Sequence, residues 1–332
     1  KLFNIDQSIV TKNIAEVVSN PAVDVVVEVI GGIEPAKTFI ETALKHGKTV
    51  VTANKELIAK YWHEIEAVAK AHNAGFYFEA SCVGGVPVIR TLTESMQGND
   101  ILSIKGIING TTNYILTKMS DEGLEFDDVL KQAQQKGYAE ADPTADVDGF
   151  DATYKLSILS SLAFNVKVPI EKVYREGIRN ISKKDIEYGK EFGYTLKLLA
   201  IGKKGENGIE ARVHPTFIKQ SHPLASVKDS FNAVFITGDN VDDIMLYGKG
   251  AGDLPTASAI VSDILYSSGV AEHFYVPFVN DKNGNGVFNK DFSCKYYIRL
   301  TVKDKPGVLA QIAGVLGDNN VSINQVIQKE SL

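Results

Sequence analysis

The strongest constraint on the fold is a short apolar run near the start of the chain. Residues 24–30 read Asp-Val-Val-Val-Glu-Val-Ile, with Pro21 before them and Gly31-Gly32 after. A run of β-branched residues between breakers reads as a strand buried on both faces, the habit of parallel sheets. Pro35 then opens a helix that places Phe39, Ile40, Ala43 and Leu44 on one face and stops at Gly47. Residues 49–52 form a second short strand. Leu57, Ile58, Tyr61, Ile65 and Val68 recur at helical spacing, and residues 76–78 form a third strand. Short strands alternating with helices require right-handed crossovers, so this region is expected to be a doubly wound α/β sheet.

The middle of the chain has a different character. A strand is expected over 101–108, a helix from about Thr112, and a helix over 126–136 that stops at Gly137. Residues 138–149 are rich in Asp, Gly and Pro and read as loop. A strongly apolar helix follows over 151–164. Strands are expected at 210–218, 233–237 and 243–247, and a helix at 254–268. This is the pattern of an α+β domain. Residues 281–286, Asp-Lys-Asn-Gly-Asn-Gly, read as a linker. Beyond them a strand over 296–302, a helix through about Leu316 and a third element from Val321 spell βαβ. That piece is too short for a core of its own.

Several classes of function are excluded. Among 332 residues, 35 Lys and Arg face 41 Asp and Glu, a net charge of −6 without any basic run, which speaks against general nucleic-acid binding. No stretch of about 18 apolar residues is present, so no membrane span is expected. Two cysteines, Cys82 and Cys294, make neither a disulfide framework nor a cysteine-rich zinc site, and they suit a reducing cytoplasm. The six histidines show no metal-ligand spacing. The chain opens at Lys1, with neither an initiator Met nor a signal-like segment.

The densest polar cluster runs from Gly137 to Lys155 and holds Glu140, Asp142, Asp146, Asp148 and Asp151. Asp151 and Lys155 are four apart and share a helix face. They read either as an exposed salt bridge at a helix start, or as a partly desolvated pair at the mouth of the apolar helix, where a lysine can serve as an acid–base group. Thr52-Ala53-Asn54-Lys55 follows a parallel strand, and loops at the carboxyl ends of such strands line the ligand crevice. Lys55 is thus either a ligand-facing or a solvated loop lysine. Gly31-Gly32 at another strand end permits close backbone approach. Gly248-Lys249-Gly250-Ala251-Gly252 precedes a helix and reads as a phosphate or nicotinamide border, or as a plain turn. In Glu79-Ala80-Ser81-Cys82-Val83-Gly84-Gly85-Val86-Pro87, one carboxylate among carbonyls suits a weakly held hard cation or an ordinary loop.

Taken together these segments resemble homoserine dehydrogenase. The most specific is 133–155, A-x3-G-Y-A-x2-D-P-x2-D-V-x-G-x-D-x3-K, a pattern too long for chance. Thr52-Ala53-Asn54-Lys55, the 79–87 loop, Asn109-Gly110-Thr111-Thr112-Asn113-Tyr114 and Gly250-Ala251-Gly252 stand around it in the family's order, so the resemblance covers about 1–280. Lys303-Asp304-Lys305-Pro306-Gly307-Val308-Leu309 is similar to the strand–loop–helix junction of an ACT domain, an amino-acid-sensing module.

The resemblance implies a fold in three parts: a partial Rossmann-type nucleotide domain, an α+β catalytic and dimerisation domain, and the start of an ACT module. The implied boundaries are 1–98, 99–245, a return segment 246–280, a linker 281–294 and 295–332. The family's first strand and GxGxxG loop are expected upstream of Lys1, together with the residue that separates NAD from NADP, and the ACT module is expected to continue past Leu332. The implied reaction is L-homoserine plus NAD(P)+ giving L-aspartate 4-semialdehyde plus NAD(P)H and a proton, run physiologically as reduction, in the pathway to threonine, methionine and isoleucine. Lys155 matches the acid–base lysine and Lys55 a second lysine between cofactor and substrate. Glu140 and Asp151 match substrate carboxylates, with Tyr138, Gly110 and Thr111 beside them. Gly31, Gly32, Asn54, Lys55 and Gly252 match cofactor positions. Glu79, with the carbonyls of Cys82, Gly84 and Val86, matches a sodium site, Cys82 standing where an aliphatic residue is more usual. A homodimer or homotetramer joined through the central sheet, and an amino-acid regulator such as threonine, are implied too. The rivals are another NAD(P)-dependent reductase of amino-acid metabolism and a non-catalytic ACT-type sensor.

Overall fold

The computed structural model describes residues 5–276, 288–289 and 291–329. The expected linker at 281–286 lies outside the described residues. The chain begins with a short helix α1 (Ile14–Ser19), then β1 (Val25–Glu28), α2 (Ala36–Lys45), β2 (Thr49–Thr52), α3 (Lys55–Ala71) and β3 (Phe76–Tyr77). The three strands are parallel in the order β1-β2-β3, with Val26 opposite Val50 and Val50 opposite Phe76. Every residue of β2 is buried, as a central parallel strand requires. Helix α2 closes over the sheet with Ile40, Ala43 and Leu44, and α3 with Leu57, Ile58, Trp62 and Ile65.

The chain leaves this sheet through residues 79–87 and the helical turns α4 (Val88–Arg90) and Thr91–Ser95. It then builds β4 (Ile101–Ile107), α5 (Gly110–Glu122), α6 (Phe126–Gln135), α7 (Thr144–Val147), α8 (Phe150–Phe164), β5 (Tyr174–Arg175), α9 (Lys183–Glu191), β6 (Tyr194–Gly205), β7 (Gly208–Lys219), β8 (Phe231–Gly238) and β9 (Asp242–Lys249). These strands form a second sheet in the order β5-β7-β6-β4-β8-β9, antiparallel except where β5 joins β7. Helix α8 lies across β4, β6 and β7. It is buried nearly all round, including Leu156, Ile158, Leu159 and Leu162, so it is the axle of this second unit. The other face of this sheet carries a separate apolar cluster of Ile107, Leu199, Ile201, Ala233 and Phe235. It borders a cavity of about 800 Å³ lined by Lys105, Phe217, His222, Phe235 and Met245.

Helix α10 (Asp253–Gly269) returns to the first sheet and packs on β2 and on residues 79–81. The outgoing and returning passes touch. The Gly85 N–H donates to the Lys249 carbonyl at 3.0 Å, and a Cβ on Gly84 would lie 2.6 Å from the Gly250 oxygen. Gly84 also has φ +49°, so only glycine fits there without strain.

Besides the short α1 and β5, which carry no expectation, the structure departs from the sequence reading in four places. β6 was not expected, although it has twelve residues. Residues 196–202 are buried on both faces, so the alternation that marks a half-buried strand is missing. Helix α9 is mostly polar and shows itself by a capping box instead: Ser182 and Asp185 each hydrogen-bond the other's backbone N–H. The short α7 interrupts the expected 138–149 loop. The strands expected at 296–302 and from Val321 do not pair among the described residues. Only the helix between them, α11 (Val308–Asp318), forms. A strand exists by its ladder, and the segment is instead held by side chains. Arg299 Nε and the Tyr297 hydroxyl donate to Asp185 at 2.6 and 2.9 Å, and the Tyr297 ring meets Phe217 edge-on.

Candidate active site

Helix α8 opens after Gly149, which takes φ +81°, and its first turn carries Asp151 with Lys155 one turn on. Lys155 Nζ donates to Asp151 Oδ2 at 2.8 Å and to the Ile108 carbonyl at 2.9 Å. Asp151 Oδ1 faces Lys55 Nζ at 2.9 Å. Lys55 is the first residue of α3, so one carboxylate joins the three-stranded parallel sheet's α3 to α8. Asp151 and Lys155 are only 5% and 8% exposed, and this excludes the surface salt bridge that spacing alone allowed. Burial opposes the charge on Asp151. The ammonium groups of Lys155 and Lys55 outweigh it and hold the carboxyl below its ordinary range. Asp151 in turn raises Lys55 above its ordinary value.

Donor counting shows what the cluster leaves open. An ammonium has three N–H groups. Lys155 uses two, on Asp151 and Ile108, so one remains for a ligand. Lys55 spends one on Asp151, and its half-exposed side chain keeps the rest for the crevice side.

Two residues that stand in the quoted motifs without an assigned role, Asn109 and Asp146, complete the cluster. Asn109 Nδ2 donates to Asp151 Oδ2 at 2.9 Å and to Asp146 Oδ1 at 2.7 Å, while its Oδ1 caps α5 by accepting from the Thr112 N–H at 2.8 Å. Asp146 stands on α7, raised above its ordinary value by burial and by Asp151. Asn109 was visible as an N-cap signal before a helix, but that signal does not tell a cap from a site residue.

Among the residues singled out in the sequence, Thr111 and Tyr138 meet: the Thr111 hydroxyl donates to the Tyr138 carbonyl at 2.6 Å. The Tyr138 ring is half-exposed and packs 4.9 Å from Tyr114. Gly110 starts α5 where a Cβ would lie 2.8 Å from the Ser230 carbonyl. Glu140 is exposed, and its carboxylate has no hydrogen-bond or ion-pair partner among the described residues. Gly31 and Gly32 take φ +79° and +69° beyond β1, with open space where a Cβ would point. Asn54 caps α3 through Leu57 N and donates to the Gly32 carbonyl at 2.7 Å, tying the two strand ends together. Gly252, with φ +114°, precedes α10.

The 79–87 loop is tightly held. Both carboxylate oxygens of Glu79 accept backbone N–H groups at the start of α4, from Ile89 and Arg90, each at 2.8 Å. Burial still pushes Glu79 up to about 7. Cys82 is fully buried, and burial pushes its thiol up to about 12, so it is a filler rather than a nucleophile. Among the described residues no three His, Cys, Asp or Glu side chains gather as a metal centre, and no helix is long and apolar enough to cross a membrane.

Residues 87–265 match the family described as Homoserine dehydrogenase, residues 4–79 match Homoserine dehydrogenase, NAD binding domain, and residues 296–332 match the ACT domain. A homoserine dehydrogenase of Synechocystis is 42% identical over 345 residues, spanning 98% of this chain and 78% of the relative. One of Bacillus subtilis is 41% identical over 330 residues, spanning 98% and 76%. The crystal structure of a homoserine dehydrogenase from Thiobacillus denitrificans superposes with a TM-score of 0.85 at 43% identity, covering 96% of this chain and 76% of that one. A hyperthermophilic archaeal homoserine dehydrogenase in complex with NADPH gives 0.67 at 33% identity, covering 77% and 75%.

Proposed function

The chain belongs to the homoserine dehydrogenase family, and we propose that the Lys55–Asp151–Lys155 cluster is its catalytic centre. The activity is reversible NAD(P)-dependent hydride transfer between L-homoserine and L-aspartate 4-semialdehyde. The bound nicotinamide supplies or takes the hydride at the substrate's C4.

The observation that carries the assignment of roles is the single carboxylate held between two lysines from different halves of the molecule. In the reductive direction the free N–H of Lys155 aims at the aldehyde oxygen and gives it the proton as that oxygen becomes the hydroxyl. In oxidation the same nitrogen takes the proton back. Lys55 offers a second cationic donor where negative charge develops on that oxygen. Asp151 keeps both ammonium groups in place. The unpartnered carboxylate of Glu140 is suited to the substrate ammonium. Tyr138, Gly110 and Thr111 shape the wall beside it, with the Thr111–Tyr138 bond fixing the loop on α5.

The crevice at the carboxyl ends of β1 and β2 fits a nucleotide. Gly31 and Gly32 keep side chains out of it, Asn54 rigidifies it, and Lys55 and Gly252 complete its border. The 79–87 loop suits a sodium ion held by Glu79 and the carbonyls of Cys82, Gly84 and Val86. The buried Glu79 charge has only neutral N–H groups against its oxygens, so a nearby cation would offset it. A homodimer, or a homotetramer, rests on the family likeness alone, because the apolar cluster on the second face of the six-stranded sheet is already buried within the chain. Residues 1–98 and 246–280 are read as the nucleotide domain, 99–245 as the catalytic and dimerisation domain, 281–294 as linker and 295–332 as part of an ACT module that takes an amino-acid regulator such as threonine. The cytoplasm is the compartment that fits this metabolic role and the free cysteines.

The test is Lys155→Ala, followed by nicotinamide absorbance during homoserine oxidation. Turnover should fall at least about 100-fold while nucleotide affinity holds. Near-normal turnover would refute the assignment, and wild-type protein active on a different aldehyde but not on homoserine would favour another reductase.

A further inference from the structure

We propose that Asn109 is a positioning residue for this reaction, its side-chain amide clamping Asp146 and Asp151 and thereby aiming the Asp151–Lys155 pair. The inference rests on the catalytic reading of Lys155 and Asp151 given above.

The orientation of the Asn109 amide is dictated. Thr112 N–H can only donate, and it lies 2.8 Å from Oδ1. The NH2 end must therefore face the other way, where its two hydrogens meet Asp146 Oδ1 at 2.7 Å and Asp151 Oδ2 at 2.9 Å. The Thr112 hydroxyl adds a 2.9 Å contact to Oδ1, so the amide is fixed at both ends. Asn109 is itself 5% exposed, so water does not compete for these bonds.

The clamp has a physical task. Asp146 and Asp151 lie on different helices, separated by Gly149 in its left-handed conformation, and the backbone alone does not hold their side chains together. Their negative charges repel, and Asp151 together with burial raises the affinity of Asp146 for a proton. A neutral NH2 with one hydrogen for each carboxylate is the group that joins two anions without adding charge. Because Asp151 Oδ2 also receives Lys155, rotation of Asp151 would swing the free N–H of Lys155 away from the substrate oxygen. The titratable groups packed around the amide are Asp146 of α7, Asp151 and Lys155 of α8, and Lys55 of α3. Cys82 lies beyond them, its Sγ 4.0 Å from the Lys155 carbonyl.

Two variants keep the helix cap and remove the clamp. In Asn109→Ser the hydroxyl still accepts from Thr112 N–H and both amide donors are gone. In Asn109→Asp the cap is again kept, and a third carboxylate faces the pair. The expected result for Ser is a kcat about 10- to 100-fold lower with nucleotide Kd within about 2-fold of wild type. For Asp the acid limb of the kcat/KM profile should also move to higher pH by about one unit, because three crowded carboxylates retain protons longer. The inference is overturned if both variants keep wild-type kcat and pH profile. It is also overturned if both lose nucleotide affinity in step with kcat, since that marks a fold defect. Measuring Lys155→Ala alongside separates the two readings. An active Lys155→Ala defeats the catalytic assignment, whereas an inactive Lys155→Ala beside wild-type Asn109 variants defeats only the clamp.

Discussion

Lys197 is a lysine in the middle of β6, 3% exposed, and it takes no part in the catalytic cluster. Its ammonium donates to Asn113 Oδ1 at 3.0 Å and to the Val227 carbonyl. Burial pushes it down to about 8 from an ordinary 10.5, with Lys228 adding to the shift and Asp121 and Asp229 opposing it. The gap of 10.5 − 8 = 2.5 is worth about 3 kcal/mol at about 1.4 kcal/mol per unit. Between these two values the unfolded chain holds a proton that the folded chain has released, so this group makes stability rise with pH across that window. Lys197→Met removes the titration and leaves the rest of the chain unchanged. Urea unfolding of wild type and Lys197→Met at pH 7.5 and 9.5 should therefore show the difference between them move by about 2 kcal/mol in favour of wild type. The level of that difference at pH 7.5 depends on how Asn113 and Val227 find new partners, but its change with pH does not. Parallel pH dependences for the two proteins would refute the reasoning.

Gly84→Ala forces an L side chain into φ +49° and sets its Cβ 2.6 Å from the Gly250 oxygen, so it should lower stability by at least about 1–3 kcal/mol in thermal or urea unfolding. Wild-type protein in sodium chloride should melt at a higher temperature than in choline chloride of equal ionic strength, and Glu79→Gln should abolish the difference; identical curves for wild type would remove the sodium site. Arg299→Ala should speed protease cleavage after residue 288 without altering turnover, because Arg299 ties that segment to Asp185. Asp185→Ala should have the same effect and cost about 1 kcal/mol more in stability, since it also breaks the α9 capping box.

The parts of the fold that showed in the sequence are those where one local rule dominates. β1 and β2 are β-branched runs between breakers, α2 and α3 keep an apolar stripe, and α8 is apolar throughout. β6 was hidden because a strand covered on both faces, with Lys197 inside it, loses its alternation. The strands expected in the ACT-like segment fail for the opposite reason: residues 296–302 have the composition of a strand but no neighbour to bond among the described residues. In the site, the 133–155 pattern located Asp151 and Lys155, and the strand-end rule located Lys55. Spacing did not tell that Asp151 stands between the two lysines, because that contact joins residues 96 positions apart, as 151 − 55 shows. Asn109 and Asp146 stand in the quoted motifs without a role for the same reason. Each follows an ordinary local signal, and their partnership exists only in three dimensions.

The outgoing and returning passes between the two sheets run side by side, joined by the bond from Gly85 to Lys249 and by the close approach of Gly84 to Gly250. Two stretches of chain bound together at one place act as a single joint between the sheets. The Lys55–Asp151 ion pair is a second tie, from α3 to α8, made by residues far from that joint in sequence. The charge of the carboxyl at the start of α8 therefore depends on how the two sheets are set against each other, because one of the two cations that hold it comes from the other sheet's helix.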